Sequence, residues 1–205
     1  NYSGCSVSIN ASGDRVAIGA VGNIGNGPWS GHVRVYDWNG TNWIQLGADI
    51  DGEAAGDGSG YSVSINAIGD RVAIGAPYNA GNGIDAGHVR IYYWTGTGWI
   101  QLGADIDGEA AGDDSGWTVS INDAGDRVAI TARNNAGIGT SSHQVRVFTP
   151  AVTCTQPLDI TISEISYGTD LIYSCDSLTW IDGVTYAASN NTATHTLTNA
   201  AGCDS

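Results

Sequence analysis

Ser62-Val63-Ser64-Ile65-Asn66, followed by Gly69-Asp70-Arg71-Val72-Ala73-Ile74, is the stretch on which the fold turns, because the chain carries it three times. The first copy reads Ser6-Val7-Ser8-Ile9-Asn10 with Gly13-Asp14-Arg15-Val16-Ala17-Ile18. The third runs from Thr118 to Asn122 and from Gly125 to Ile130. The dipeptides Ser3-Gly4, Ser59-Gly60 and Ser115-Gly116 set the period at 56 residues (60 − 4 and 116 − 60). Working outward, Val33-Arg34-Val35-Tyr36 returns as Val89-Arg90-Ile91-Tyr92 and as Val145-Arg146-Val147-Phe148, and Trp43 to Ile50 returns as Trp99 to Ile106. Self-similarity at such a period is the signature of a repeat architecture.

Each copy reads as four short strands. Val7 and Ile9 alternate with serines, which gives one apolar and one polar face. A tight Asn-x-x-Gly-Asp turn leads to a second strand, Arg15 to Ala20. A Gly/Asn-rich loop, Gly22 to Gly31, precedes a third, His32 to Trp38. Asn39-Gly40 signals a hairpin because both residues tolerate positive φ, and Trp43 to Leu46 makes the fourth strand. Four strands per 56 residues predict an all-β fold of propeller-type blades. A β-solenoid is the alternative, though its rungs are usually shorter. Three copies over residues 1–150 make an incomplete ring, so the sequence reads as part of a longer protein, with further blades or domains, or as a chain that completes its ring with partners. Residues 151–205 lack the period and form a separate module, bracketed by cysteines and cut short.

Composition narrows the function. The net charge is −14 and all seven basic residues are arginine. Nucleic acid needs basic clusters to neutralise phosphate, so neither nucleic acid nor an anionic membrane surface is an expected partner. No apolar run approaches the ~20 residues of a membrane helix, so no membrane insertion is expected. There is no Gly-x-Ser-x-Gly elbow, no His-Glu-x-x-His and no phosphate-cradling loop. The repeats spread carboxylates evenly, whereas catalysis needs one asymmetric site. Only Arg133, Asn134 and Asn135 in the third copy depart from that evenness, and the sequence reads as a non-enzyme with no catalytic residues.

The residues also resemble a known family. Gly56-Asp57-Gly58-Ser59-Gly60-Tyr61-Ser62-Val63-Ser64, then Gly75-Ala76-Pro77, then Gly87-His88-Val89-Arg90-Ile91-Tyr92, resemble the FG-GAP repeat of integrin-α-type propellers and bacterial surface proteins. The other copies read Gly19-Ala20-Val21 and Thr131-Ala132-Arg133, so the second half of the pattern decays. The family's calcium loop, Asp-x-Asp-x-Asp-Gly, is replaced by Asn10-Ala11-Ser12-Gly13-Asp14 and its copies at Asn66 and Asn122, which hold too few carboxylates. The tail, with Cys175-Asp176-Ser177-Leu178-Thr179-Trp180-Ile181-Asp182-Gly183 and Gly202-Cys203-Asp204-Ser205, resembles a module repeated in large secreted proteins of gliding Bacteroidetes. The resemblances imply a secreted, extracellular or cell-surface protein with a small sandwich-like C-terminal module. In an oxidising compartment Cys175 and Cys203 are expected to pair, while Cys154 pairs elsewhere or stays free. Cys5 stands where the other copies have Tyr61 and Trp117, and is expected to be a small buried apolar residue.

Four features are candidates for function. The acidic run Asp49, Asp51, Glu53 and Asp57, echoed by Asp105, Asp107, Glu109 and Asp113, is either a Ca²⁺ site or a solvated linker, since alternate carboxylates on an extended chain point one way. The loops carrying Asn23, Asn26 and Trp29, then Asn79, Asn82 and Asp85, then Asn134 and Asn135, are either a binding face for a protein or glycan partner or plain connectors. The tryptophans are either a sugar-stacking platform or, as the recurrence of Trp43 at Trp99 favours, cross-strand packing. Arg15, Arg34 and their copies are expected to form salt bridges between blades, while His32 and His88 give way to Gln144, which excludes a metal or catalytic role common to all three copies. The resulting expectation is a cell-surface interaction protein. The alternatives are a structural stalk or the scaffold of a glycan-active enzyme.

Overall fold

A computed structural model describes residues 2–135 and 143–150, together with the backbone of residues 178–179 and 185–186. The chain divides into two compact units, Asn1–Ala151 and Val152–Ser205. The first is all-β and consists of three antiparallel sheets, one per sequence repeat. Blade 1 contains β1 (Ser3–Ile9), β2 (Arg15–Ala20), β3 (His32–Trp38), β4 (Trp43–Gln45) and β5 (Ile50–Asp51). Blade 2 repeats this with β6 (Ser62–Ile65), β7 (Arg71–Ala76), β8 (His88–Trp94), β9 (Trp99–Gln101) and β10 (Ile106–Asp107). Blade 3 has β11 (Ser115–Ile121), β12 (Val128–Ala132) and β13 (Gln144–Phe148). In the second unit, β14 (Leu178–Thr179) pairs with β15 (Thr185–Tyr186). The cysteine pair Cys175 and Cys203, Cys154 and Trp180 lie outside the described residues.

The turn between the first two strands forms for a local reason. The Asn10 side chain accepts a hydrogen bond from Arg15 N at 2.9 Å and donates one to Asp14 Oδ1 at 2.8 Å. Asn66 and Asn122 make the same two bonds in their copies. Gly13, at φ +74°, occupies the left-handed position that this turn requires. The carboxylate that ends each turn, Asp14, Asp70 or Asp126, is thus engaged by an asparagine amide.

The fourth strand matches its sequence reading to within a residue, and a short fifth strand follows it that the sequence reading lacked. Trp43–Gln45 pairs with the end of β3, then the chain breaks at Gly47 (φ +79°), and Ile50–Asp51 returns to pair with the start of β3. Part of the acidic run is therefore strand. Burial of Ile50 between the first two blades supplies the apolar reason.

Blades stack face on face. Ala17, Val33, Val35 and Ile50 of blade 1 meet Val63, Ile65, Val72 and Ile74 of blade 2 in one core. Ala73, Val89 and Ile91 of blade 2 meet Ile121, Val128 and Ile130 of blade 3 in the next. Close approach depends on the paired glycines of the repeat. A Cβ on Gly19 would lie 2.0 Å from the Gly60 carbonyl oxygen, and one on Gly75 would lie 2.1 Å from that of Gly116. Ser6 and Ser62 hydroxyls donate to those same two carbonyls at 2.7 and 2.8 Å. The Ser-Gly dipeptide of one blade and the Gly-Ala dipeptide of the preceding blade are therefore two halves of one contact.

Candidate functional site

The seam between successive blades gathers most of the sequence's polar candidates. In blades 1 and 2 the Gly/Asn-rich loop is fastened to the linker that follows its own blade. Asn26 Nδ2 donates to the Gly52 carbonyl at 2.7 Å, and Asn82 Nδ2 donates to that of Gly108 at 2.9 Å. Asn23 and Asn79 accept from the amides of Gly25 and Gly81. Backbone bonds from Gly56 to Pro28 and from Gly112 to Ile84 complete the fastening. Of the expected binding residues, Asn23, Asn26, Asn79 and Asn82 thus hold the loops in shape. In blade 3, Asn134 donates to Asp114 at 2.6 Å, while Asn135 reaches Glu109, Asp113 and Gln144 at 3.1 Å each.

Trp29 and Asp85 occupy one repeat position, and both have positive φ, +60° and +54°. Trp29 stacks on Tyr2 with ring centroids 5.3 Å apart, and both rings are exposed. On the next seam, Tyr61, Tyr78 and Trp117 pack on one another, with the Arg133 guanidinium 3.5 Å from the Trp117 ring centroid. Trp38 and Trp94 pair with Trp43 and Trp99 across neighbouring strands, at 5.5 and 5.4 Å. The Trp94–Trp99 pair also covers Gly47 of the preceding blade, and Trp99 Nε1 donates to the Leu46 carbonyl at 2.9 Å. The second pair thus packs between blades, while Trp38 and Trp43 stay exposed.

Cys5 corrects the sequence expectation: it is exposed. Its copies Tyr61 and Trp117 are partly covered because they lean on one another across a seam. Cys5 belongs to β1, the edge strand of blade 1, over whose outer face no further sheet packs among the described residues.

The arginine expectation is also refined. Asp14 and Asp70 bind their turn asparagines, so Arg15 pairs with Asp37 of its own blade at 2.9 Å and reaches the Gly69 carbonyl of the next blade at 3.1 Å. Arg34 forms a two-pronged pair with Asp49, both contacts at 2.8 Å, within its blade. Arg90 and Arg146, by contrast, each bind the glutamate of the preceding linker, Glu53 at 3.4 Å and Glu109 at 3.2 Å. Each also donates to a linker carbonyl, Asp51 and Asp107, at 2.9 Å.

The eight acidic candidates do not converge on one point. Asp57 and Asp113 are buried and accept backbone amides of their own turns. Glu109 is spent on Arg146 and Asn135, and Asp107 follows the strand register opposite His88. The other four form two clusters, and each contains a histidine. His32 faces Asp49 at 3.3 Å and Asp51 at 4.0 Å. His88 faces Asp105 at 3.8 Å and Glu53 at 3.9 Å. In each cluster the carboxylate and Nδ1 atoms lie within 4.8 Å of one another. Only 2 % and 1 % of His32 and His88 is exposed, and neither Nδ1 makes a hydrogen bond. Burial holds both imidazoles below the ordinary histidine range against the pull of the facing carboxylates, so both are neutral near pH 7. Asp49 is held below the usual carboxylate range, first by the Arg34 hydrogen bonds.

Sequence reasoning passed over the histidines because Gln144 broke their pattern. The usable signal was register: the first residue of the third strand pairs with the second aspartate of the acidic run, His32 with Asp51 and His88 with Asp107.

No helix of the described residues is long and apolar enough to cross a membrane. No protein-family model matches the chain, and no curated protein matches it. Among solved structures the chain is similar to one described as the crystal structure of the tricorn protease, with a TM-score of 0.41 and 7 % identity. That similarity covers 70 % of this chain and 13 % of the other chain's length.

Proposed function

We propose that this chain is a secreted, cell-surface interaction module that binds a protein or glycan through the loop-bearing ends of its blades. The observation that carries this reading is the exposed Tyr2–Trp29 stack. Trp29 sits at a left-handed backbone position in a loop that side-chain and main-chain bonds hold in shape. An aromatic face presented from a fastened loop loses little conformational freedom when a sugar ring or an apolar side chain stacks on it. The resemblance of the three copies to FG-GAP repeats, and the decay of the loops relative to the strands, support the same reading.

A stalk that only sets length is the second reading, favoured by the asparagines that bind their own linkers instead of facing outward. The two readings separate on a glycan and surface-protein array probed with the intact chain. Binding that falls at least tenfold in Trp29→Ala and Tyr2→Ala, with an unchanged melting midpoint, supports the interaction reading. Binding that both variants retain overturns the aromatic loop as the contact, and no binding to any probe favours the stalk.

A further inference from the structure

We propose that Glu53, His88 and Asp105 form a site for one divalent transition cation of the Zn²⁺ class, which ties the linker after blade 1 to blade 2. His88 Nδ1 is buried and unbonded, and it points at Asp105 Oδ2 and Glu53 Oε2. Separations of 3.8 and 3.9 Å are too long for hydrogen bonds, which end near ~3.2 Å. They are close to the ~3.3 Å that separates two ligands each ~2.0 Å from a tetrahedral cation. Closing to that spacing asks each carboxylate, both partly exposed, to approach the imidazole by about 0.5 Å. The remaining oxygens are already oriented: Asp105 Oδ1 accepts Gln101 at 2.6 Å, and Glu53 Oε1 faces Arg90 at 3.4 Å. Each carboxylate thus keeps one oxygen turned toward the imidazole.

The other two copies explain why one site is expected and not three. In blade 1, Arg34 Nη2 lies 2.8 Å from Asp49 Oδ2, the oxygen that would bind the cation, so the guanidinium already fills that role. In blade 2 the linker draws Arg90 away to Glu53 and the Asp51 carbonyl, and no arginine pairs with Asp105 among the described residues. In blade 3, Gln144 replaces the histidine and accepts from Asn135. The donor set also selects the metal. One imidazole nitrogen and two carboxylates suit Zn²⁺ and its neighbours, while Ca²⁺ seeks six to eight oxygens. Partly exposed carboxylates leave an entry path.

The test is calorimetric titration of the intact chain, its thiols blocked, with Zn²⁺ and separately with Ca²⁺, alongside His88→Gln and His32→Gln. Glutamine is what blade 3 carries at this position, so both variants are expected to fold. The expected result is one tight Zn²⁺ equivalent, lost in His88→Gln and kept in His32→Gln. At 100 times the dissociation constant, the melting midpoint should rise by about 5–10 °C. Loss in His32→Gln alone, retention in His88→Gln, tighter binding of Ca²⁺ than of Zn²⁺, or no tight equivalent in the parent chain would each overturn the proposal. None of these readouts depends on a surface ligand, so the metal site and the interaction reading stand or fall separately.

Discussion

Blades 1 and 2 are nearly the same sequence in opposite surroundings. Val63 and Ile65 are 8 % and 7 % exposed, while their copies Val7 and Ile9 are 64 % and 58 % exposed. On the other face, Val33 and Val35 are buried, whereas Val145 and Val147 of blade 3 are open. The apolar alternation of a strand therefore says which face can be covered. A neighbouring blade decides whether it is. Blade 1 keeps that unmet capacity visible as a shallow apolar groove lined by Val16, Ile18, Tyr36 and Trp43.

The two outer blades also differ from each other. The close-contact glycines Gly19 and Gly75 become Thr131 in blade 3, and Gly31 and Gly87 become His143. A Cβ at Gly31 or Gly87 would meet the Ser59 or Ser115 carbonyl at 2.1 or 2.2 Å. A further blade docked on blade 3 in the register of the first two seams would meet side chains where those seams have none. Blade 1, by contrast, retains its Ser3-Gly4. The outward faces are therefore not equivalent.

The sharpest way to break this comparison is to move the blade 3 residue into a seam. Gly75→Thr is expected to destabilise by about 3 kcal/mol or more through overpacking, whereas Thr131→Gly should cost about 1 kcal/mol or less. Urea unfolding midpoints check both, and equal effects would mean that the seam can open to admit a side chain. Next in size, Ile65→Ala should cost about 2–4 kcal/mol, while Ile9→Ala stays within about 0.5 kcal/mol. A large loss for Ile9→Ala in the same unfolding assay would show that something covers blade 1 in solution.

A smaller contrast concerns the tryptophans. Trp99→Phe removes the hydrogen bond to the Leu46 carbonyl and should cost about 1 kcal/mol or somewhat more, whereas exposed Trp43 has no such bond among the described residues and Trp43→Phe should be nearly neutral. Thermal melts of the two variants would show the difference. The smallest effect is expected from the turn arginines. Arg71 reaches the Gly125 carbonyl of the next blade at 3.1 Å, while Arg127 makes only local, exposed contacts. Arg71→Ala should cost about 1 kcal/mol and Arg127→Ala close to nothing, which differential scanning calorimetry can resolve if the two are measured side by side.

Much of this was legible before any coordinates. The Asn-x-x-Gly-Asp turns and the first four strands of blades 1 and 2 follow from local rules: side-chain period, left-handed glycine and the asparagine that bonds its own turn. The fifth strand was not legible, because Ile50 re-enters the sheet only to fill the gap between two blades. Cys5 was misjudged for the same reason, since its repeat position is covered only where an aromatic neighbour from another blade leans on it.

The candidate site divides along the same line. The sequence by itself determined the period, the all-β class, the acidic run and the two recurring histidines, because each is fixed by residue identity and short-range geometry. Only the tertiary structure decided that Glu53 crosses from one blade's linker to the next blade's histidine, that Arg34 closes the first cluster while Arg90 leaves the second open, and that the seam glycines are contacts and not turns. Those outcomes depend on which chemically similar groups are brought within a few ångströms, inside a blade for Arg34 and Asp49 and across a seam for Glu53 and Arg90 or Gly19 and Gly60, and the pairs across a seam meet only after the sheets have stacked.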